Sequence, residues 1–300
     1  MSTLPRVRTL AAAVVLALVF VSAGHKASSA TRRAPAHIQP CGQHTAKNAR
    51  YDHVVWIVME NKSFGDVIGS SSAPFTNALA SACGLAENFH GETHPSLPNY
   101  IAMTSGSTHR IRDDAAPSSH RLRGASIFSQ LGRGWRALQQ SMPRPCARTD
   151  SGRYAVRHNP ATYYTSLRRS CARQNVRLRT GTPDISARFT FITPNLCSDT
   201  HDCGVSTGDR FLRGIVTRIG SSAEYRQGRT ALFITWDEDD GSASNHIPTL
   251  VVAPGTPAGT TSRTRFNHYS LLRTTEELLG IRHKLGAAAR ARSMRGAFGL

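Results

Sequence analysis

The chain has few acidic residues, few aromatic residues and almost no lysine. It carries 19 Asp and Glu against 37 Lys and Arg, for a formal net charge of +18, and its only lysines are Lys26, Lys47, Lys62 and Lys284. Such a field attracts anions, including phosphorylated substrates and anionic lipid. Arg used in place of Lys is, however, also what genomic base composition alone produces. The aromatic residues, 7% of the chain, do not interleave with the arginines as a base-stacking surface requires, so no specific nucleic-acid partner is expected.

Long apolar runs are absent beyond the N-terminus. Two arginines precede an apolar run over residues 10–21, and small residues follow it. This pattern predicts a secretory signal peptide over residues 1–30, with cleavage after Ala23 or Ala30. The run is too short to span a membrane comfortably. We therefore expect a secreted, extracellular protein, or one associated with the cell envelope if the segment is not cleaved.

No CxxC pair occurs, which argues against a zinc ribbon. All six cysteines lie beyond the predicted signal peptide, and in an exported protein an even number favours disulfides over free thiols. Sequential pairing is the simplest arrangement, although six cysteines allow fifteen connectivities. The positions are Cys41, Cys83, Cys146, Cys171, Cys197 and Cys203.

The length of 300 residues and an apolar content of 39% suffice for one sizeable core. They suggest one α/β domain or two small ones. We assign residues 31–50 to an irregular lead-in, residues 51–285 to the main domain and residues 286–300 to a basic tail. The tail is expected to fray from Ala287 onward. The sequence shows no internal repeat.

Strand-like and helix-like segments alternate along the main domain. Apolar runs rich in β-branched residues predict buried strands at 54–59, 188–193, 229–236 and 247–253. Helix-like spacing occurs at 73–83, 126–138, 209–219 and 270–279, and a polar surface loop is expected at 105–125. The alternation predicts an α/β fold with a mostly parallel central sheet and helices on both faces.

Polar side chains lie where these strands end. Glu60 and Asn61 follow the first strand, Asn195, Asp199 and His201 follow the second, Asp237 and Glu238 follow the third, and His246 just precedes the fourth. Ligands of such sheets bind beyond the carboxyl ends of the strands, so each group could reach one edge. Several carboxylates at one place would not all ionise without a cation, which points to a divalent metal. Taken singly, the acidic stretch could instead be a solvated turn.

The segment HPSLPNY places Ser96 near a proline that suits the first turn of a helix. The hydroxyl would then lie at a helix N-terminus, whose free N–H groups and partial positive charge favour phosphate. A serine at this position is also a common helix cap. Together with the acidic groups, the nucleophile is the stronger interpretation.

Six segments carry a family resemblance when they are read in order. They are VVWIVMENKSF, HPSLPNY with the following MTSG, PNLCSDTHDC, FITWDEDDG, NHIPTLVVAPG and NHYSLLRTTEELLG. With these, the chain resembles the bacterial phosphoesterase family of acid phosphatases and phosphatidylcholine-type phospholipases C. That family looks like a branch of the alkaline-phosphatase-like superfamily. The resemblance runs from about Tyr51 to Leu279.

The resemblance implies roles for individual residues. Ser96 matches a nucleophile that becomes transiently phosphorylated, and Asn99 a residue that helps to hold the phosphoryl oxygens. Glu60, Asn61, Asp237 and Glu238 match ligands of one or more divalent metal ions. His201 and His246 match histidines that bind phosphate or assist the leaving group, and Asp199 could orient one of them. Weaker candidates are His94, Asn195 and His268, of which His268 could simply cap the last helix.

The resemblance implies a secreted, metal-dependent phosphoesterase that hydrolyses phosphate monoesters through a serine. The alternatives are a phospholipase C and, from another class, a basic secreted binding protein without turnover. A phospholipase usually needs exposed apolar anchors near its cleft, whereas the loops at 105–125 and 240–246 are polar. The expected partner is a phosphorylated small molecule or lipid, with weak binding to anionic surfaces. The metal and the oligomeric state stay open.

Overall fold

The runs of valine, isoleucine and phenylalanine form the centre of an eight-stranded sheet in the computed structural model, which describes residues 1–2, 41–43 and 51–300. The predicted signal peptide, apart from residues 1–2, and the lead-in, apart from residues 41–43, lie outside the described residues. Within those residues, no helix has the length and apolar character needed to cross a membrane.

The elements of this part of the chain follow in order. The strands are β1 (His53–Met59), β2 (Gly84–Ala86), β3 (Phe89–His90), β4 (Trp135–Gln139), β5 (Asn175–Arg177), β6 (Phe189–Thr193), β7 (Thr230–Trp236), β8 (Thr249–Val252), β9 (Thr260–Ser262) and β10 (Phe266–Asn267). The α-helices are α1 (Phe64–Val67), α2 (Pro74–Ala82), α3 (Ser96–Ser105), α4 (Ile127–Leu131), α5 (Cys171–Gln174), α6 (Val205–Gly220), α7 (Ala223–Arg226), α8 (His268–Leu278) and α9 (Arg295–Phe298). Short 3-10 turns occur at Val156–His158, Pro160–Thr162, Thr165–Leu167 and Gly286–Ala289.

The main sheet is mostly parallel, as the sequence predicts. Its strand order is β5-β4-β6-β1-β7-β8-β2-β9, and β3 pairs with β10 in a separate ribbon. The five strands from β5 to β7 run parallel, whereas β8 is antiparallel to both of its neighbours. β1 lies in the middle, and its residues from Val54 to Met59 are fully buried. A continuous apolar run suits this position because helices cover both faces.

The two faces of β1 show this covering. Trp56 and Met59 point to opposite sides because side chains alternate along a strand. Trp56 Nε1 donates a 3.0 Å hydrogen bond to Thr275 Oγ1 of α8. On the other face, Met59 packs so closely against Gly208 of α6 that a Cβ added there would lie 2.9 Å from its methyl group. Helices therefore pack on both sides of the central strand.

The predicted helix over 126–138 is wrong in its second half. α4 ends at Leu131, and Gly132 then adopts a positive φ of 59°. After that turn, β4 extends the sheet between β5 and β6. The apolar spacing that suggested one helix is divided between a short helix and a buried strand.

The prediction that the tail frays is also wrong. Met294 and Phe298 are fully buried, and the backbone N–H of Met294 donates a 2.8 Å hydrogen bond to Thr274 Oγ1 of α8. Ala288 is also fully buried. A few apolar residues in an otherwise small, basic segment are enough to dock it on the core.

The cysteines pair sequentially, which confirms the simplest of the possible arrangements. The bonds join Cys41 to Cys83, Cys146 to Cys171, and Cys197 to Cys203, with Cα–Cα distances of 5.3, 5.6 and 4.7 Å. The six cysteines leave no free thiol. Three disulfides are typical of proteins from oxidising compartments.

Candidate active site

The site forms where β1 and β7 end side by side. Met59 lies opposite Trp236 in the parallel register, so the next residues, Glu60 and Asp237, leave the sheet together. The N–H of Asp237 donates to the carbonyl of Met59 at 3.0 Å, and the N–H of Asn61 points at Asp237 Oδ1 at 3.4 Å. Glu60 and Asp237 are fully buried. The structure thus joins the predicted acidic groups of the first and third strands.

Ser96 enters this acidic cluster from the first turn of α3. The residue is only 2% exposed, and its Oγ lies 3.1 Å from Glu60 Oε2 and 3.3 Å from Glu238 Oε1. All ten residues of α3 are buried, so its N-terminal dipole acts with little solvent screening. The N–H of Leu97 already donates to Asp114 Oδ1 at 2.8 Å.

Asn99 links α3 to the loop before it and to the carboxylates. Its Nδ2 donates to Glu238 Oε2 at 3.0 Å and to the carbonyl of Thr93 at 2.7 Å, while its Oδ1 accepts from the N–H groups of Glu92 and Thr93. The amide is therefore occupied by protein groups. In this geometry Asn99 fixes the loop that precedes Ser96 and orients Glu238.

His94 lies at the mouth of the site. Its Nδ1 is 3.1 Å from Glu238 Oε2 and its Nε2 is 3.1 Å from Asp239 Oδ1. Its side chain is 45% exposed, whereas those of the two carboxylates are nearly buried. His94 thus lies between these two buried carboxylates and solvent.

Sequence reasoning missed His158 and Tyr100. His158 is 1% exposed; its Nε2 lies 3.2 Å from Glu60 Oε1 and its Nδ1 lies 3.4 Å from Asp199 Oδ2. The Tyr100 hydroxyl donates to Glu60 Oε1, and its ring stacks on His158 with centroids 5.2 Å apart. Tyr100 lies one helical turn after Ser96, so the i, i+4 spacing could have indicated it. His158 follows no predicted strand, and the sequence carries no comparable signal for it.

The electrostatics of the cluster call for a cation. Burial raises the pKa of Glu60 well above its usual range, and the charges of Asp237 and Asp199 raise it further. Burial likewise raises the pKa values of Asp199, Asp237 and Glu238. Burial also lowers the pKa of His158, so its imidazole is neutral and free to act as a ligand. A divalent cation would let the carboxylates ionise together.

The donor atoms of the cluster fit such a cation. Glu60, His158 and Asp199 offer three ligand atoms that lie within 4.8 Å of one another. Four buried atoms here make no hydrogen bond of acceptable geometry, even where His158 lies 3.2 and 3.4 Å from Glu60 and Asp199: Asn61 Oδ1, His158 Nε2, Asp199 Oδ2 and Asp237 Oδ2. Buried polar atoms are normally satisfied, and an oxygen-rich set with one imidazole suits a divalent metal. Glu60 belongs both to this group and to the ligand set expected from the sequence.

His201 lies beside the cluster in the loop that the Cys197–Cys203 disulfide closes. Its Nδ1 is 2.7 Å from Asp202 Oδ1, and Arg157 Nη2 donates to its Nε2 at 3.2 Å. The backbone N–H of His201 donates to Asp199 Oδ1 at 2.8 Å. The ring centroids of His201 and His158 are 5.9 Å apart. The predicted pairing of His201 with Asp199 is therefore made through the backbone.

Three predicted residues have partners outside the cluster of carboxylate oxygens. The His246 ring is hydrogen-bonded to the carbonyl of Glu87 at 2.9 Å and stacks on Phe64. Asn195 accepts from the N–H of Ser198, which shapes the turn after β6. His268 is fully buried, and its Nε2 is 2.6 Å from the carbonyl of Asp237, so it supports the backbone beneath that residue.

His268 does not cap α8, the helix predicted at 270–279. That role belongs to Asn267, whose Oδ1 accepts from the N–H of Ser270. Burial lowers the pKa of His268 to about 4, so its ring is neutral. A neutral imidazole can donate from Nε2 to the Asp237 carbonyl and hold the end of β7 in place.

Buried carboxylates around a serine hydroxyl at a helix N-terminus are the chemistry expected of a hydrolase that acts on phosphoric ester bonds. A model of the phosphoesterase family matches residues 69–282, which is most of the chain. The protein therefore belongs to the phosphoesterase family.

Named relatives agree with this assignment. A phosphatidylinositol-3-phosphatase of Mycobacterium tuberculosis is 32% identical over 252 residues, covering 80% of this chain and 81% of that protein. An acid phosphatase of Aspergillus fumigatus is 27% identical over 300 residues, covering 92% of this chain and 66% of that protein. An acid phosphatase of Aspergillus niger is 24% identical, and this chain spans 64% of its length.

Solved structures support the fold alone. A protein of the alkaline phosphatase superfamily from Vibrio parahaemolyticus has a TM-score of 0.56 at 11% identity, over 86% of this chain and 73% of that one. A 2-O GAG sulfatase has a TM-score of 0.52 at 13% identity, over 80% of this chain and 74% of that one. These likenesses confirm the alkaline-phosphatase-like architecture expected from the sequence.

Proposed function

We propose that this protein is a secreted, metal-dependent hydrolase of phosphate monoesters that uses Ser96 as its nucleophile. The observation that carries the proposal is the position of Ser96 Oγ, within 3.3 Å of carboxylates from two different strand ends. A serine cap needs no such surroundings. Here buried carboxylates, and polar atoms that lack hydrogen bonds, lie beside a helix N-terminus. Such a site suits a phosphoryl group held next to a cation.

Glu60, Asn61, Asp237 and Glu238 would hold the divalent cation, with Asp199 and His158 next to Glu60. When bound, the cation lowers the pKa of the serine hydroxyl and offsets the charge of the phosphoryl oxygens. Glu60 Oε2 lies 3.1 Å from Ser96 Oγ and is placed to take the hydroxyl proton. Tyr100 holds the other oxygen of Glu60 and keeps the carboxylate oriented.

Ser96 Oγ forms a bond to phosphorus as the bond from phosphorus to the ester oxygen breaks. The leaving alkoxide takes its proton from water. The predicted role of His201 in binding phosphate or assisting the leaving group stays a prediction, because its Nε2 accepts from Arg157 and its Nδ1 contacts Asp202 in this structure. Water then attacks the phosphoserine, which releases inorganic phosphate and restores the serine. Asn99 keeps the loop before Ser96 in place through both steps. The predicted role of His246 stays a prediction, since its ring is bonded to the Glu87 carbonyl here.

The choice of monoesters rests on the relatives and on the loops. The relatives described above carry the names of phosphatases. The loop at 240–246 is polar, and Asp239 and Asp240 hold it through hydrogen bonds to backbone N–H groups and serine hydroxyls. It therefore offers no apolar anchor for a membrane. Secretion is supported by the three disulfides together with the N-terminal sequence pattern.

A substrate panel tests the proposal. Turnover of p-nitrophenyl phosphate, bis(p-nitrophenyl) phosphate and p-nitrophenylphosphorylcholine is compared with and without a chelator. We expect the monoester to react fastest and the chelator to abolish turnover. Release of diacylglycerol from phosphatidylcholine vesicles without monoester activity would favour a phospholipase C. Absence of turnover with every substrate and added divalent ion would favour a binding protein.

A further inference from the structure

A cavity lined by arginines lies apart from the acidic cluster. Its volume is about 310 Å³, and its walls are formed by Ser118, Arg121, Cys146, Arg148 and Arg168. None of these residues takes part in the contacts around Ser96 and Glu60. The cavity therefore has a chemistry opposite to that of the candidate active site.

The three guanidinium groups lack carboxylate partners within the described part of the chain. Other arginines there do form ion pairs, among them Arg136 with Asp184 and Arg273 with Glu277. Burial lowers the pKa of Arg148, and the charges of Arg168 and Arg121 lower it further, so the three cations repel one another. Like charges gathered at one cavity are stabilised by an anion between them.

Arg148 is held in a fixed orientation. Its Nη1 donates to the carbonyl of Thr162 at 2.8 Å and its Nη2 to the carbonyl of Pro117 at 3.3 Å. The Cys146–Cys171 disulfide ties down the same segment two residues earlier. These bonds explain Arg148 as a tie between loops, but they do not explain why exposed Arg121 and Arg168 gather at the same cavity.

We propose that Arg121, Arg148 and Arg168 form a phosphate-binding site separate from the Ser96 centre. A guanidinium group offers paired N–H donors that match phosphate oxygens, and a preoriented one loses little entropy on binding. The Ser118 hydroxyl lines the same cavity and adds a donor. The ligand chemistry is a phosphate group, carried either by free orthophosphate or by the headgroup of an anionic lipid.

The test compares two double variants of the full-length protein that remove the same charge. Arg121→Gln with Arg168→Gln removes the exposed part of the cluster. Arg213→Gln with Arg226→Gln, at exposed positions on α6 and α7, is the matched control. Calorimetric titration with inorganic phosphate counts the binding sites. Co-sedimentation compares vesicles of equal parts phosphatidylglycerol and phosphatidylcholine with vesicles of phosphatidylcholine alone.

We expect the cluster variant to lose about twenty-fivefold in affinity for one of these probes, since each of its two exposed basic residues contributes about a fivefold factor. Loss of one phosphate site in the cluster variant alone supports free phosphate as the ligand. Loss of binding to the phosphatidylglycerol vesicles in that variant alone supports a lipid headgroup. Equal losses in both variants, or no loss in either, would overturn the proposal. Should the cluster variant melt below the control, the single variants Arg121→Gln and Arg168→Gln replace it.

Discussion

The acidic cluster around Glu60 and the arginine cavity around Arg148 both gather like charges, but they do so at different depths. Glu60 and Asp237 are fully buried at the ends of two central strands, whereas Arg121 and Arg168 are exposed and only Arg148 is partly covered. Repulsion at the surface is weakened by water and salt. Repulsion in the interior is screened much less, so ionisation of the buried acidic cluster needs a compensating cation more than the arginine cavity needs an anion.

Replacing Ser96 should give the largest effect on the acidic side. We expect Ser96→Ala to lower kcat/KM for a phosphate monoester by about a thousandfold or more, because the nucleophile is lost while its surroundings remain. Steady-state kinetics and thermal unfolding measure the two consequences. Ser105→Ala removes a hydroxyl from the other end of the same helix, where it bonds to the Ile101 carbonyl, and serves as the control. Near-normal hydrolysis by Ser96→Ala would refute the nucleophile.

The next largest effect is expected from metal addition to chelated protein. A divalent ion at a hundredfold its Kd should stabilise the fold by about 2.7 kcal/mol, because it binds the native state alone. Differential scanning calorimetry measures the shift in Tm. Glu60→Gln should remove most of that shift, whereas Asp184→Asn, at the surface pair with Arg136, should retain it. An equal shift in both variants would disprove a metal site at Glu60.

His158 provides a finer test of which residues surround the cation. We expect His158→Gln to weaken metal binding by about tenfold to a hundredfold, the range found for groups that support or complete a metal site. Isothermal titration with the metal measures this. His120→Gln, at a histidine paired with exposed Asp113, is the matched control and should bind as the wild type does. Unchanged affinity in His158→Gln would remove His158 from the site.

Glu276 isolates the effect of burial from that of like charges. It is fully buried away from the acidic cluster, and burial raises its pKa to about 7 although the N–H of Leu285 donates to it. The folded state holds the proton of Glu276 more tightly than the unfolded state does. The free energy of unfolding therefore falls as the pH rises from about 4.5 to about 7. Glu276→Gln should therefore gain roughly 1–3 kcal/mol relative to the wild type between pH 5 and pH 8.

Chemical denaturation across this pH range measures the Glu276 effect. Glu277→Gln is the neighbouring control, with the opposite sign. Although burial acts to raise the pKa of Glu277, hydrogen bonds from Ser293 and Arg273 lower it overall. Its ionised form stabilises the fold, so the variant should lose stability once the pH exceeds the normal glutamate range. Parallel pH profiles for the two variants would show that burial does not set the charge of Glu276.

The centre of the fold could be predicted because its signal is local. β1, β6 and β7 are largely apolar runs, as parallel strands buried on both faces require. The antiparallel β8 is also buried and shows a similar run. The strands β2, β3, β5, β9 and β10 have only two or three residues, too few to show a period. The turn at Gly132 and the docking of Phe298 depend on tertiary contacts that no short window contains.

The candidate site likewise contains residues that the sequence could place and residues that only tertiary contacts place. Glu60, Asp237 and Glu238 follow predicted strands, so topology alone places them together. His158 lies in a 3-10 turn whose position depends on α3 packing over it, through the stacked Tyr100 ring. His246 shows the reverse: its position before β8 suggested the site, but stacking on Phe64 directs its ring to the Glu87 carbonyl.

The depth of Ser96 also limits which phosphate esters can reach it. The residue is 2% exposed, whereas the side chain of His94, which contacts Glu238, is 45% exposed. A monoester has one substituent, which can remain in the opening while the three other oxygens enter. A diester carries a second substituent, which would have to lie along the buried wall of α3 or displace it. If Ser96 is the nucleophile proposed above, this enclosure would admit terminal phosphoryl groups more readily than those in the middle of a chain.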